Sequence, residues 1–151
     1  MKTENLSAIA RIRIRRPPQD VFAAFADPEK MSQYWFTRRD DGLEPGESVS
    51  WFVGSEPDAF AIDVRVKELD RPHRIRIDWG ADGKYSQVIW TFEPTEDGHT
   101  ILSVQETGFT GSRDEVLARA LDSTGGFNQV VVAAKAFIEH GVALNVVADH
   151  A

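Results

Sequence analysis

The sequence predicts an α+β fold, in which a curved antiparallel sheet of six strands carries its helices on one face. Three observations predict it. Residues 8–15 alternate between small or apolar side chains and arginines, the period of a half-buried strand. Residues 42–108 run as short β-type segments between turn signals, the pattern of a meander. From Phe127 to about His140, apolar residues recur at helical spacing, which predicts a long terminal helix.

The elements follow in order. Ala8, Ala10, Ile12 and Ile14 share one face of the first strand, and Arg11, Arg13 and Arg15 share the other. Pro17-Pro18 ends it, because proline donates no ladder hydrogen bond and its fixed φ suits a first helical turn. Val21, Phe22 and Phe25 then recur at helical spacing, giving a short helix with an apolar side. Asp27-Pro28 reads as an N-cap followed by proline at the first helical position, so a second helix is predicted over about residues 29–34. Strands are predicted at 48–52, 59–69, 73–79, 85–94 and 100–107. The turn markers between them are Glu56-Pro57-Asp58, Asp70-Arg71-Pro72, Gly80-Ala81-Asp82-Gly83 and Thr95-Glu96-Asp97-Gly98. A short helical pattern over 113–121 begins after Gly111-Ser112. Ser123-Thr124-Gly125-Gly126 then separates it from the long helix, whose stripe is Phe127, Val130, Val131, Ala134, Phe137, Ile138 and Gly141. The paired glycines are expected to serve a tight turn or a close backbone approach to the sheet.

Composition sets the bounds. The 151 residues suit one domain, 1–151, large enough for a substantial core and an internal cavity. A net charge of −7 argues against a nucleic-acid surface, which would be basic. The absence of cysteine excludes disulfides, thiolate metal sites and cysteine nucleophiles. No apolar run approaches the ~20 residues that span a bilayer. The opening MKTENLSA lacks the apolar stretch of a signal peptide, so a cytoplasmic location is expected and Asn5-Leu6-Ser7 matches a glycosylation acceptor by spelling only.

The strongest constellation is aromatic. Trp35, Phe36, Trp51, Phe60, Trp79, Trp90, Phe92 and Phe127 are spaced so that a bent sheet and a capping helix bring several together. Aromatic walls with few polar groups are typical of small-molecule pockets, so these residues, with Ile62, Ile77, Val104 and Val131, are candidate ligand-binding residues. The plain alternative for each is that it fills the core. On the strand 59–69, Phe60, Ile62, Val64 and Val66 are the inward candidates and Asp63 faces outward. Glu106 stands out among the polar residues. In TILSVQE it shares a face with Leu102 and Val104, which aims its carboxylate inward near a strand end. Such a group needs a partner and is typical of a functional site, which makes Glu106 the candidate catalytic residue. The alternative is a strand-end glutamate reaching solvent or pairing with Arg38 or Arg39.

The remaining charged motifs are weaker. Arg11, Arg13, Arg15 and Arg16, and then Arg74 and Arg76, read as solvated strand faces. His73, His99, His140 and His150 sit at turns or helix ends without ligand spacing, so no metal site is expected; His140 suits the helix dipole. There is no Gly-x-Ser-x-Gly elbow, phosphate-cradling loop or dinucleotide fingerprint, and no cofactor is expected.

This order of elements, with PPQDVFAAFADPEKMSQYW, ETGF at Glu106 to Phe109 and GGF at Gly125 to Phe127, resembles the START/polyketide-cyclase-like (SRPBCC) superfamily. Within it the chain is most similar to the group related to the activator of heat-shock-protein-90 ATPase, although Phe127 stands where tryptophan is commoner. The tail EHGVALNVVADH also resembles the ending of one bacterial subgroup. The resemblance implies a helix-grip fold, with the sheet wrapped round the C-terminal helix, a hydrophobic cavity between them, and Trp35 and Phe36 at its entrance. It implies a protein that encloses a small hydrophobic or aromatic molecule. Two other roles follow from the same likeness: a cavity enzyme of cyclase, dehydratase or hydrolase type using Glu106, and a stress-linked co-chaperone-like module. A homodimer is compatible with it, since many single-domain relatives expose sheet edges.

Overall fold

Strand, two short helices, five long strands and one long helix follow one another in a computed structural model that describes residues 6–36, 38–39, 43–53 and 59–150. The elements are β1 (Ala8–Ile14), α1 (Pro18–Ala26), α2 (Pro28–Met31), β2 (Arg38–Arg39), β3 (Ser48–Val53), β4 (Phe60–Asp70), β5 (Arg74–Ala81), β6 (Lys84–Pro94), β7 (Thr100–Thr107) and α3 (Arg113–His140). All pairs are antiparallel, in the order β1-β7-β6-β5-β4-β3-β2. The six long strands are those the sequence predicts; the two-residue β2 lengthens one edge. The turn expected at Glu56-Pro57-Asp58 lies outside the described residues.

Local chemistry explains the start of the chain. Pro17 precedes α1 in an extended conformation, and Pro18 takes its first position, where a missing N–H costs nothing. The Asp27 carboxylate accepts a bond from the Glu29 N–H at 2.9 Å and caps α2. The Tyr34 hydroxyl donates to the Ala24 carbonyl at 2.7 Å and ties the segment after α2 back to α1. Alternation then fills the inner face of the sheet with Val64, Val66, Ile75, Ile77, Val88, Trp90, Phe92, Leu102 and Val104, all buried.

The expected break before the long helix does not occur. α3 runs unbroken for 28 residues through Thr124, Gly125 and Gly126. Two interior glycines cost about 1 kcal/mol each relative to alanine. Burial of Phe127, Val130 and Val131 beyond them contributes roughly 1.5–3 kcal/mol per side chain and outweighs that cost. The Thr124 hydroxyl also bonds the Ala120 carbonyl at 2.7 Å, within the helix ladder. Apart from the adjoining helix backbone and chain neighbours, no atom lies within 4 Å of a Cβ built on either glycine, so neither serves a close approach to the sheet. Gly141 is not part of the stripe: it ends the helix in the left-handed region at φ 67°.

A polar clamp fixes the C-terminal end of α3 to β1. The Glu139 carboxylate accepts from the Arg15 N–H at 2.8 Å and from Lys135 Nζ at 2.6 Å, and Lys135 also donates to the Arg13 carbonyl at 2.7 Å. Arg16 donates to the Glu139 carbonyl at 2.7 Å. Burial pushes the Glu139 carboxyl up, but the Arg15 N–H and the Lys135 ammonium outweigh it and hold it below the usual range. On the outer face of the sheet Arg11 meets Glu93, Arg13 meets Asp97, Arg74 meets Glu68, and Asp63 meets Arg65 and Tyr85.

Gly125→Ala is therefore expected to stabilise the fold by about 1 kcal/mol in denaturant unfolding, because an exposed helical site gains propensity without a clash. Glu139→Gln is expected to cost about 1 kcal/mol at neutral pH, as charge-assisted bonds become neutral ones. Because the folded carboxyl titrates below its unfolded value, this contribution is present above the usual carboxylate range. It fades as pH falls through the folded value, so the melting temperatures of wild type and Glu139→Gln should converge in acid.

Candidate functional site

Three strand ends place the polar centre of the site. Trp79 on β5 stands directly opposite Ser86 on β6, and Val88, two residues on, stands opposite Glu106 on β7. The three side chains share the inner face, and the diagonal from Ser86 to Glu106 is within side-chain reach. Trp79 Nε1–H donates to Glu106 Oε2 at 2.9 Å, and the Ser86 hydroxyl donates to the same oxygen in a shorter bond. Glu106 is 2% exposed, and its Oε1 has no hydrogen-bond partner among the described residues. The side chains of Arg38 and Arg39, the alternative partners, lie outside the described residues.

A cleft of about 480 Å³ opens over this centre. Phe60 and Ile62 form its apolar wall, Trp79, Ser86 and Glu106 line its inner part, and Lys84, Glu115, Arg119 and Asp122 bring charge. Gly80 belongs to the lining as well, and a Cβ there would meet the Lys84 carbonyl oxygen at 1.9 Å, so no side chain fits where the β5–β6 hairpin closes. A second cleft of about 190 Å³ lies on the other side of Trp79, between Trp35, Phe36, Phe127 and Val130 and the tail residues Val147 and His150. Trp79 thus stands in the wall of both, its ring stacked on Phe127 at 5.7 Å and 17°.

Among the residues expected to bind a ligand, Phe60, Ile62 and Trp79 line the larger cleft, and Trp35, Phe36, Trp79 and Phe127 line the smaller. Trp51, Ile77, Trp90, Phe92, Val104 and Val131 line neither and are packed in the core. Phe60 shares the inner face of Val64 and Val66 but is 60% exposed, because it stands at the strand end beyond the packed helices. Trp35 and Phe36 are not open at an entrance. Trp35 is 7% exposed and sits within 6.4 Å, centroid to centroid, of Phe25, Phe36, Trp51, Trp79, Trp90 and Phe127. Ser86 was legible but unremarked: the alternation of YSQVIW sets it on the inner face with Val88 and Trp90. Lys84, Glu115, Arg119 and Asp122 left no local signal, since α3 brings three of them to the cleft from far along the chain. Among the described residues no group of three or more metal-ligating side chains could hold an ion, and no helix is long and apolar enough to cross a membrane.

A family model described as Activator of Hsp90 ATPase homolog 1-like protein matches residues 15–133. The chain belongs to this family. The helix-grip fold and the SRPBCC likeness implied by the sequence hold for this family member. Protein SSP2350 from Staphylococcus saprophyticus is similar at 25% identity and a TM-score of 0.77, over 93% of this chain and 96% of that one. DynU16, from the dynemicin biosynthetic locus, is similar at 20% identity and a TM-score of 0.77; the match covers 91% of this chain but 49% of DynU16. PFC0360w, an HSP90 activator from Plasmodium falciparum, is similar at 23% identity and a TM-score of 0.67, over 91% and 97% of the two chains. The two likenesses below 25% identity concern the fold. No curated protein matches the chain.

The bonds at Glu106 predict their own mutational cost. Ser86→Ala removes one of the two donors to a buried carboxylate and should destabilise the protein by about 1–3 kcal/mol in urea unfolding. Trp79→Phe keeps a ring against Phe127 but deletes the other donor, and should cost a similar amount.

Proposed function

We propose that this domain binds a small molecule in the cleft above Glu106, with the apolar or aromatic body of the ligand against Phe60, Ile62 and Trp79. One observation carries the reading: a carboxylate 2% exposed stands in the lining of an open cleft with one oxygen holding two bonds and the other holding none. A buried acceptor without a partner costs free energy, and in the wall of an open cleft a bound molecule can offset that cost. The cleft volume also falls within the range of small-molecule sites. The family membership supports the same reading.

The test is a thermal-shift screen of small aromatic and lipophilic compounds, with native mass spectrometry on the hits. A ligand at about 100 times its Kd should raise the melting temperature by roughly 5–10 °C. Ile62→Trp, which fills the apolar wall, should abolish the shift while leaving a cooperative melt. No shift across the screen, or shifts that Ile62→Trp leaves unchanged, would overturn the reading.

The fixed orientation of Glu106 favours a second reading, in which the same carboxylate moves a proton to or from the bound molecule. Glu106→Gln should then abolish turnover of an identified substrate while retaining the fold; equal turnover by the variant would remove Glu106 from that role.

A further inference from the structure

We propose that the cleft selects ligands carrying a protonated amine, with Glu106 as the anchor for that cation. The inference rests on the reading of the cleft as a small-molecule site and names the chemical class that the site takes. Three features of the lining support it.

The first is the absence of a counter-cation. Among the described residues no lysine, arginine or histidine forms an ion pair with Glu106; its donors are a neutral indole N–H and a neutral hydroxyl. Both go to Oε2, and Oε1 receives none. Buried carboxylates are ordinarily paired, and an ammonium held in the cleft beside Glu106 supplies the missing charge.

The second is the charge of the whole cleft. Its lining holds two cations, Lys84 and Arg119, against three carboxylates, Glu106, Glu115 and Asp122. The Arg119 guanidinium lies over the Phe109 ring at 5.4 Å, and Lys84 is exposed. By count the lining is left with one excess negative charge, and Glu106 is the only buried group of the five.

The third is the aromatic wall. Trp79 turns its N–H edge to the carboxylate and stacks one face on Phe127, while the exposed Phe60 ring stands in the cleft wall. Aromatic faces attract a desolvated ammonium through the ring quadrupole. An alcohol brings a donor but no charge, and an acid adds a second negative charge beside the first.

A matched series tests the proposal on the wild-type protein: phenethylamine, 2-phenylethanol and phenylacetate, which share one aromatic body, titrated at neutral pH by calorimetry. The amine should bind at least about tenfold tighter than either the alcohol or the acid. Glu106→Gln, checked for a cooperative melt, should remove the amine's advantage over the alcohol. Equal binding of amine and alcohol, or tighter binding of the acid, overturns the amine anchor and leaves the cleft as a binding site. No binding of any of the three at millimolar concentration also overturns the anchor, and the cleft reading falls with it only if the wider thermal-shift screen is blank. The wild-type series decides the matter even where the variant fails to fold.

Discussion

The placement of one indole organises the interior. Trp35 follows α2 and is enclosed by aromatic rings from α1, β3, β5, β6 and α3, so that the short helices, the sheet and the long helix meet on its surface. Offset and edge-on ring contacts of this kind contribute about 0.5–1.5 kcal/mol each beyond the area they bury. They also have preferred geometries, which aliphatic packing lacks. The position of Trp35 is in turn set by the α1–α2 corner, where the Asp27 cap and the Tyr34 hydroxyl fix the direction of the chain. A sheet has only one face to bury, and here that face is covered because the corner delivers this ring.

The cleft appears where that packing stops. Core rings fill the space over the middle of the sheet, but β4, β5 and β6 extend beyond them to Phe60, Ala81 and Lys84. The inner face there is lined by groups that a closed core would exclude: a serine, a glutamate and the edge of a tryptophan. Their mutual bonds allow a carboxylate to remain on a face that is otherwise apolar. The aromatic filling of the interior and the polar end of the sheet are thus two outcomes of one alternating pattern, divided by how far the helices reach.

Much of this was legible residue by residue, because a strand's period of two is insensitive to distant context. It placed Glu106 on the inner face and Asp63 on the outer, and the proline and aspartate signals placed α1 and α2. What was not legible depends on sums over distant contacts. Gly125 and Gly126 are helix-breaking by local propensity, yet burial on both sides of them keeps α3 whole. Trp35 looked like a rim residue because a sequence does not show how many other rings converge on it. Spacing marked the aromatics as one converging set, but could not separate those under α3 from those beyond it. The charged rim of the cleft was invisible for the same reason.

The pairing of β1 with β7 has a kinetic side. Ala8 lies opposite Glu106 and Ile14 opposite Thr100, so the first strand closes its ladder only with residues nearly a hundred positions away. The meander β3 to β7 can zip by neighbouring hairpins, each closing a short loop. During synthesis from the N-terminus, β1 must therefore wait unpaired, with its arginines keeping it soluble, until the last strand leaves the ribosome. α3, which packs against β1, cannot dock in its final place before that step. Barriers of this kind come from chain entropy rather than from weak contacts, and they make a domain fold late and as a whole.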